Sequence, residues 1–426
     1  MGSFEDVMAI RAKTQTTIPE AITQIAYPAY MVNRQWDIEW INPQAEELIF
    51  GQSVRTLRNI EERHFFSLAF TSKTRDLVTD FDGFIKSHLP LVQGDIPPPS
   101  RNPLLVPLGI DTVSWLGRIW PDEVEALPQI NYREERFRFK SSRCEGYHRV
   151  AAMFREGILI IWIPTVVNLA PVLDLLTGRR NIINDLLINK LPAMRAMAVL
   201  VADLQNSVKI SADLPPEEYF DLITAMWARL EKPFRDYGCY SGKHVGDGVV
   251  QFFLAKPGDA FGHSVNALLC ANAIQCSMAD INREWKRKKQ WLNELVLNIG
   301  LHEGREWIGY IPSASTPEFT ALGDTVNVTA RVSGIGRNGC LWVSKHMLSA
   351  LPSQILDHVE YGIRRPMEGR DLFIPKTYSR VVDLPNLERI PKSTDIANLS
   401  VTEVIRVDQP AIQAVLRSMV AEEPQA

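Results

Sequence analysis

The chain has 426 residues, of which 46% are hydrophobic and 23% are charged. This composition is typical of globular proteins, and the length favours two or three domains. With 46 basic and 50 acidic residues the net charge is −4, so no basic field predicts nucleic-acid binding.

The cysteines and the apolar segments indicate where the protein works. The five cysteines are odd in number and share no metal-ligand spacing, which favours a reducing cytosol over a disulfide framework. No N-terminal stretch has the charged and apolar regions of a secretion signal. The most apolar segment, Ile158 to Leu176, contains two prolines and Asp174, so a β-strand running into a helix explains it better than a membrane span. We therefore expect a cytoplasmic protein with no membrane span.

Residues 1–18 are polar and are predicted to be disordered, and residues 19–164 are predicted as an aromatic-rich domain. This domain opens with two short strands joined at Asn33-Arg34, followed by a helix from Pro43 that stops at Gly51. The proline-rich run from Val92 to Pro107 predicts a loop. Residues 137–163 alternate in the manner of paired strands.

The pattern Pro-Ala-Tyr-x-x-Asn-x-x-Trp-Asp-Ile over residues 28–38 resembles a PAS-type sensory domain, in particular the ligand-binding domain of MmyB-like transcription regulators. The resemblance implies a sensory role but not DNA binding, because only about twenty residues precede the domain, too few for the helix-turn-helix of those regulators. The ligand is unknown: the aromatic side chains suit an apolar pocket, a haem or flavin site, or a plain core.

Residues 165–196 carry apolar side chains at steps of three to four, which predicts one or two amphipathic helices. Such a segment either packs on a neighbouring domain or dimerises and transmits a signal, and the pattern alone supports both interpretations.

Residues 197–384 show alternating βαββαβ signals, typical of an α+β, ferredoxin-like domain. The run from Ala198 to Ala202 reads as a buried strand, and Gly246-Asp-Gly248 predicts a tight hairpin. Long helices are predicted from Pro215 to Tyr237 and from Phe261 to Lys288. Residues 385–426 are predicted as a polar C-terminal tail with one helix.

Two aspartates in this domain are candidates for a metal site. Asp203 directly follows the buried strand, and Asp247 lies at the tip of the hairpin. Neighbouring carboxylates do not both stay ionised cheaply unless a cation joins them. Magnesium is the natural cation, since it binds one or two carboxylates together with substrate phosphates.

Four further side chains suit a nucleotide. Lys243, four residues before Asp247, donates hydrogen bonds to acceptors such as a purine ring nitrogen, and the Thr320 hydroxyl can accept from an exocyclic amine. Asn327 and Arg331 lie four residues apart on one helical face, where an amide and a guanidinium suit negative charge on phosphate.

Together, Asp203-Leu204, Lys243-x-x-Gly-Asp247, Gly300-Leu-His-Glu-Gly304 and Leu322-Gly-Asp-Thr-Val-Asn-Val-x-x-Arg331 resemble the class III nucleotide cyclase catalytic domain. The resemblance covers about 185 residues. It implies a metal site at Asp203, the adjoining Leu204 and Asp247, purine reading by Lys243 and Thr320, and transition-state stabilisation by Asn327 and Arg331.

The same resemblance implies an adenylate cyclase that works as a head-to-tail homodimer on ATP, with two Mg²⁺ or Mn²⁺ ions per active site. Guanylate-specific members usually carry Glu and Cys at the positions of Lys243 and Thr320, which counts against a guanylate cyclase. A threonine at the latter position also resembles a bacterial subgroup often reported as bicarbonate-responsive. The alternatives are a guanylate cyclase and a catalytically silent signalling module.

The sequence departs from the family pattern in two places. Residues 205–208 read Gln-Asn-Ser-Val where Gly-Phe-Thr is usual after the first metal aspartate. The basic residue that contacts the triphosphate is also unsettled: Arg370 is the candidate, with Arg364 and Arg365 as rivals.

Overall fold

The computed structural model describes residues 21–95, 110–119, 127–177, 179–256, 259–289, 294–311, 318–367, 370–385 and 393–422. The chain divides into two compact units. The first lies within residues 1–194 and also includes residues 308–320, and the second comprises residues 195–307 and 321–426.

The first unit is built on an antiparallel sheet whose five described strands follow the order β2-β1-β5-β4-β3. The predicted pairing within residues 137–163 is confirmed from Tyr147 onward, because β4 and β5 form a hairpin in which Phe154 pairs with Gly157, whereas residues 137–146 lie outside the strands. The predicted strand-then-helix reading of residues 158–176 is confirmed as well. The strands are β1 Ala29–Val32, β2 Ile38–Ile41, β3 Ile130–Glu135, β4 Tyr147–Phe154 and β5 Gly157–Pro164.

Short helices connect these strands, and the first of them follows the prediction. The side chain of Asn42 caps helix α1 by accepting from the Ala45 N–H, and the following π-helical turn, Glu46–Phe50, ends at Gly51 with φ of 61°. Only glycine adopts this left-handed conformation without strain. The helices are α1 Pro43–Ala45, α2 Phe65–Ala69, α3 Ser72–Leu77, α4 Phe81–Asp95 and α5 Ile110–Ile119. Helix α4 enters the predicted Val92–Pro107 loop, and residues 96–109 lie outside the described residues.

Two helices follow the sheet of the first unit, α6 Ala170–Thr177 and α7 Arg179–Ile188. Leu176 and Ile182 are buried in a cluster with Met31 of β1 and Leu159 of β5. The apolar stripe predicted for residues 165–196 therefore packs on the sheet of its own unit.

The second unit is built on one sheet in which ten described strands take part. Eight follow the order β13-β12-β15-β11-β9-β6-β8-β7, while β10 pairs with β9 and β14 with β15. The segment β9-β6-β8-β7 contains the predicted βαββαβ unit. Its strands are β6 Ala193–Leu204, β7 Ser241–Val245, β8 Gly248–Leu254 and β9 Leu297–Ile311. The others are β10 Glu318–Leu322, β11 Leu341–Ser344, β12 Val359–Met367, β13 Arg370–Pro375, β14 Ser379–Arg380 and β15 Ser400–Val407.

Helices cover both faces of this sheet. The two long predicted helices are present as α9 and α10, and Leu230 and Leu268 on them are buried against Leu200 of β6. The helices of this unit are α8 Ser207–Asp213, α9 Pro216–Asp236, α10 Gly262–Lys289, α11 Asp324–Ile335, α12 Lys345–Ser349, α13 Ser353–Leu356 and α14 Gln409–Glu422. No helix in the described ranges is both long enough and apolar enough to cross a membrane.

The segment after residue 385 differs from the predicted polar tail. Strand β15 lies inside the sheet between β11 and β12, and Ile412 of helix α14 is buried in the main core. The reason is that the β-branched run of β15 fits a half-buried pleated surface. The second unit therefore includes this part of the chain, and α14 corresponds to the predicted helix.

Candidate active site

The first carboxylate lies where β6 leaves the sheet. The strand is buried from Met197 to Ala202, but the side chain of Asp203 is exposed. The next residue, Leu204, is buried in the core, so only its main-chain carbonyl could face a metal. Asp203 is thus an accessible acid at the end of a rigid strand.

The second carboxylate lies on the neighbouring hairpin. Strands β7 and β8 are joined by the two-residue turn Gly246-Asp247, with Gly246 at φ of 65°. A Cβ atom added at Gly248 would lie 3.1 Å from Asp203 Oδ1, so the end of β6 and the hairpin meet closely. The Asp203 side chain stays accessible, but partial desolvation by the surrounding protein, and secondarily the charge of Asp247, raise its pKa. The two carboxylates are therefore near enough to repel each other.

These residues fit a magnesium or manganese ion. Two carboxylates at one exposed edge supply hard oxygen donors and leave room for water and phosphate, as Mg²⁺ requires. Within the described residues no group of three or more His, Cys, Asp or Glu side chains forms a closed metal cage. An open site of two acids agrees with an ion that shares its ligands with a substrate.

The turn after Asp203 is held by side chains in place of the usual glycine pattern. Gln205 Oε1 accepts hydrogen bonds from Asn298 Nδ2 at 3.2 Å and from the Asn338 N–H at 2.8 Å. Asn206 then takes a left-handed conformation with φ of 59°. The departure noted in the sequence therefore has a structural role, since Gln205 ties the turn to the rest of the second unit.

Helix α11 carries Asn327, which is exposed, and Arg331, which is partly exposed. Two glycines of the Gly-Leu-His-Glu-Gly motif let this helix lie close to β9. A Cβ atom at Gly300 would collide with the backbone of Thr329 and Ser333, and one at Gly304 would collide with the Thr325 side chain. The motif thus fixes the distance between the helix and the sheet.

The start of helix α11 is fixed by an acid that the motif analysis did not identify. Glu306 Oε1 accepts from the Thr325 N–H at 2.7 Å and from its hydroxyl at 2.5 Å. A carboxylate at this position satisfies a free N–H group and interacts well with the helix dipole. Glu306 lies 19 residues from Thr325 in the sequence, so no local pattern indicates the contact.

The two predicted purine-reading residues lie on different elements. Lys243 is partly buried on β7, opposite Val250 of β8. Thr320 is partly buried on β10 and groups with the first unit, whereas Lys243 belongs to the second. Their joint role in base recognition stays a prediction.

Three arginines compete for the triphosphate role. Arg364 Nε donates to the buried carboxylate of Glu403 at 2.9 Å, and Arg365 donates to Asp383 O and to Ser379 Oγ. Arg370 begins strand β13, and its side chain lies outside the described residues. Both rivals therefore already have protein partners, and Arg370 stays the candidate.

Arg331 has a partner that the sequence did not predict. Its Nη1 forms an ion pair with Asp395 Oδ2, which lies in the short 3-10 helix Ser393–Ile396. No local pattern indicates this contact, because 64 residues separate the two side chains.

Comparison with known proteins agrees with these observations. Residues 190–374 match the family model described as the adenylate and guanylate cyclase catalytic domain. A class III cyclase catalytic domain is supported for this part of the chain. The match covers less than half of the 426 residues.

Curated relatives point to the same domain. An adenylate cyclase from Anabaena cylindrica is 27% identical over 149 residues, which are 34% of this chain and 28% of the relative. Adenylate cyclase 1 of Rhizobium meliloti is 26% identical over 149 residues, or 33% of this chain and 21% of the relative. The matched stretch thus spans only 21% to 28% of these relatives.

Two solved structures are similar at lower identity. The adenylyl cyclase CyaB from P. aeruginosa has 18% identity and a TM-score of 0.40, covering 51% of this chain and 97% of that protein. The guanylyl cyclase Cya2 has 20% identity and a TM-score of 0.40, covering 51% and 96%.

Proposed function

We propose that the protein is an adenylate cyclase that converts ATP into 3′,5′-cyclic AMP and pyrophosphate. The observation that carries the proposal is the approach of the accessible Asp203 carboxylate to Asp247, in a unit whose helix α11 also carries Asn327 and Arg331 one turn apart. Adenylate cyclase relatives at 26% and 27% identity support the same class of reaction.

The reaction is an in-line displacement at the α-phosphorus. The ribose 3′-oxygen forms a bond to this phosphorus, the bond to the β-phosphate oxygen breaks, and pyrophosphate leaves. The hydroxyl proton passes to solvent. Two divalent ions held by Asp203, Asp247 and the Leu204 carbonyl would supply Lewis-acid chemistry, with a more acidic 3′-hydroxyl and a neutralised triphosphate.

The protein's own side chains contribute positioning and charge. Arg331 and Asn327 donate hydrogen bonds to the α-phosphoryl oxygens, where negative charge develops, and such donors typically contribute ~10²–10³ in rate. Lys243 and Thr320 read the adenine edge as donor and acceptor. Arg370 binds the triphosphate as a fixed cation.

We place the site at the interface of a head-to-tail homodimer. This part of the proposal is supported by exposed apolar side chains close in sequence to the two acids: Val208 on α8 follows Asp203, Val245 on β7 precedes Asp247, and they are 81% and 58% exposed. Such side chains are available for contact with a second copy of the chain. A symmetric dimer would carry two equivalent sites.

The first unit would act as a PAS-type sensory domain that regulates the cyclase. The proposal is supported by a clamp on the residues just before β6. Lys190 Nζ pairs with Glu39 Oε2 at 2.5 Å, with both side chains about nine-tenths buried, and the Leu191 N–H donates to Glu39 O. Arg63 donates to the carbonyl of Pro192 at 2.8 Å. Because Asp203 lies near the C-terminal end of β6, a shift of the residues just before this strand would be transmitted along it to the proposed metal ligand.

The decisive experiment is an assay of the purified chain with ATP or GTP and Mg²⁺ or Mn²⁺, measuring cyclic nucleotide. We expect cyclic AMP as the main product. Equal or better turnover of GTP would exclude the adenine preference, and no product under any condition would identify a silent module. In a Lys243→Glu/Thr320→Cys variant, an unchanged base preference would show that these two residues do not read the purine.

A mixing experiment tests the dimer. Asp203→Ala and Arg331→Ala should each be inactive alone, but their mixture forms heterodimers with one intact site when the two residues act across the interface. Random exchange then restores about a quarter of the wild-type activity, since half the dimers regain one of two sites. No recovery after confirmed subunit exchange would contradict the shared site.

A further inference from the structure

The ion pair between Arg331 and Asp395 joins the predicted transition-state arginine to the C-terminal part of the second unit. The contact runs from Nη1 to Oδ2, and the two side chains are 28% and 55% exposed. Asp395 belongs to a segment that the sequence had predicted as a tail, so it was outside every motif that pointed to the site.

The position of Asp395 is fixed by its neighbour. Ile396 is 5% exposed and lies in a hydrophobic cluster with Val328 and Val332 of helix α11. These two valines lie on the same helix as Arg331. The carboxylate is therefore anchored, through the next residue, on the helix that carries its partner.

The pair leaves most of the guanidinium available. Only Nη1 contacts Asp395, and neither Nη2 nor Nε of Arg331 has a partner within the described parts of the chain. A guanidinium offers five donors in a rigid plane. One edge can thus be held by Asp395 while the other presents donors to phosphoryl oxygens.

We propose that Asp395 is a positioning residue that holds Arg331 in the orientation needed to stabilise the α-phosphoryl group. The inference rests on the proposed cyclase function. A functional side chain is effective only when a neighbouring contact restricts its rotamers. The opposite role, a latch that competes with phosphate for Arg331, predicts a change of opposite sign.

The test compares kcat and KM for ATP in wild type and Asp395→Asn. We expect kcat to fall about fivefold, because an exposed ion pair restrains a side chain only weakly, with KM nearly unchanged. Asp395→Glu keeps the charge and should recover part of the loss. Asp383→Asn is the matched control, since it breaks the ion pair with Arg380 in the same segment and should leave kcat unchanged.

A second readout separates positioning from general structural damage. Free guanidinium, below denaturing concentrations, should restore some activity to Arg331→Ala, because the Asp395 carboxylate can hold it in the vacated place. The double variant Arg331→Ala/Asp395→Asn should show much weaker rescue. Equal rescue in both variants would contradict the positioning role.

The outcomes distinguish the inference from the function on which it rests. A wild-type protein that makes no cyclic nucleotide contradicts the cyclase proposal itself. An active wild type whose Asp395→Asn variant has equal or higher kcat overturns the positioning role alone, and a higher kcat identifies the contact as a latch.

Discussion

Charged side chains have opposite environments in the interior of the first unit and at the carboxylate edge of the second, which is the edge that carries Asp203 and Asp247. In the first unit, Arg63 and Arg149 are each 1% exposed and His88 is fully buried. Each has protein partners: Arg63 donates to backbone carbonyls, Arg149 to Ser87 O and Asn131 Oδ1, and His88 bonds the Tyr30 hydroxyl at 2.5 Å. Burial of a polar group is tolerated only with such partners.

At the edge of the second unit the arrangement is reversed. Asp203 is exposed, and the charge that shifts its pKa is that of another acid, Asp247. Like charges brought together lower stability, and the arrangement makes physical sense when a cation and a substrate join them. In this protein, then, a buried charged side chain with hydrogen-bond partners has a structural role, whereas an accessible carboxylate beside another acid is a candidate for binding a metal or substrate.

The largest expected effect is on activity at that edge. Asp203→Ala removes a proposed metal ligand, and the loss of several kcal/mol of charge stabilisation should lower turnover by at least ~10²-fold. In buffer with chelator its melting temperature should be unchanged or higher, because repulsion from Asp247 disappears. The control is Asp357→Ala, because Asp357 is an acid of the same unit that is 68% exposed and forms an ion pair with Lys376. A rate of cyclic nucleotide formation by Asp203→Ala close to that of wild type would contradict the proposal that Asp203 binds a metal ion.

The next effect is on stability in the first unit. Glu39→Gln removes one partner of the buried Lys190–Glu39 pair and leaves an uncompensated lysine, which should cost about 3 kcal/mol in the free energy of unfolding. Asp236→Asn breaks the exposed Lys232–Asp236 pair and should cost about 0.5 kcal/mol or less. Denaturant unfolding of both variants provides the measurement. Equal small losses would mean that the clamp before β6 is not a stabilising contact.

Local patterns allowed much of the second unit to be predicted. The buried run of β6, the Gly246-Asp247 turn and the two long amphipathic helices each depend on residues close in sequence, so periodicity and turn chemistry identify them. The approach of Asp203 to Asp247 followed from the βαββ connection, because that topology places the first strand beside the hairpin.

Contacts between distant residues were beyond such patterns. Strand β15 joins the sheet only by pairing with β11 and β12, and its place there depends on tertiary packing. Asp395 and Glu306 act on helix α11 from 64 and 19 residues away. Neither acid belongs to a recognisable sequence motif, and only the folded chain shows what each one contacts.

A third experiment tests how helix α11 is positioned against strand β9. Gly300→Ala adds a Cβ atom against the backbone of Thr329 and Ser333, so we expect a loss of about 1–3 kcal/mol from overpacking and a lower kcat as the helix moves. Gly334→Ala in the same helix meets nothing within 4 Å and should be neutral or stabilising by about 0.5–1 kcal/mol. The melting temperatures and kcat values of the two variants provide the measurement. Equal behaviour would show that close packing at Gly300 does not set the helix position.

The smallest effect is a pH dependence of stability in the first unit. Burial lowers the pKa of His88 from 6.5 to about 3, so the folded state keeps this side chain neutral while the unfolded chain binds a proton. The contribution of neutral His88 to the free energy of unfolding is complete above pH 6.5 and is lost progressively as the pH falls toward 3. The free energy of unfolding then changes with a limiting slope of about 1.4 kcal/mol per pH unit.

His88→Gln removes this titration, so its unfolding free energy should change less between pH 7 and pH 5.5 than that of wild type, by roughly 1 kcal/mol over that interval. Denaturant unfolding at several pH values measures both slopes. Identical slopes for wild type and His88→Gln would mean that His88 is not held neutral by burial. The contrast between the buried charges of the first unit and the accessible carboxylate edge of the second would then need another physical basis.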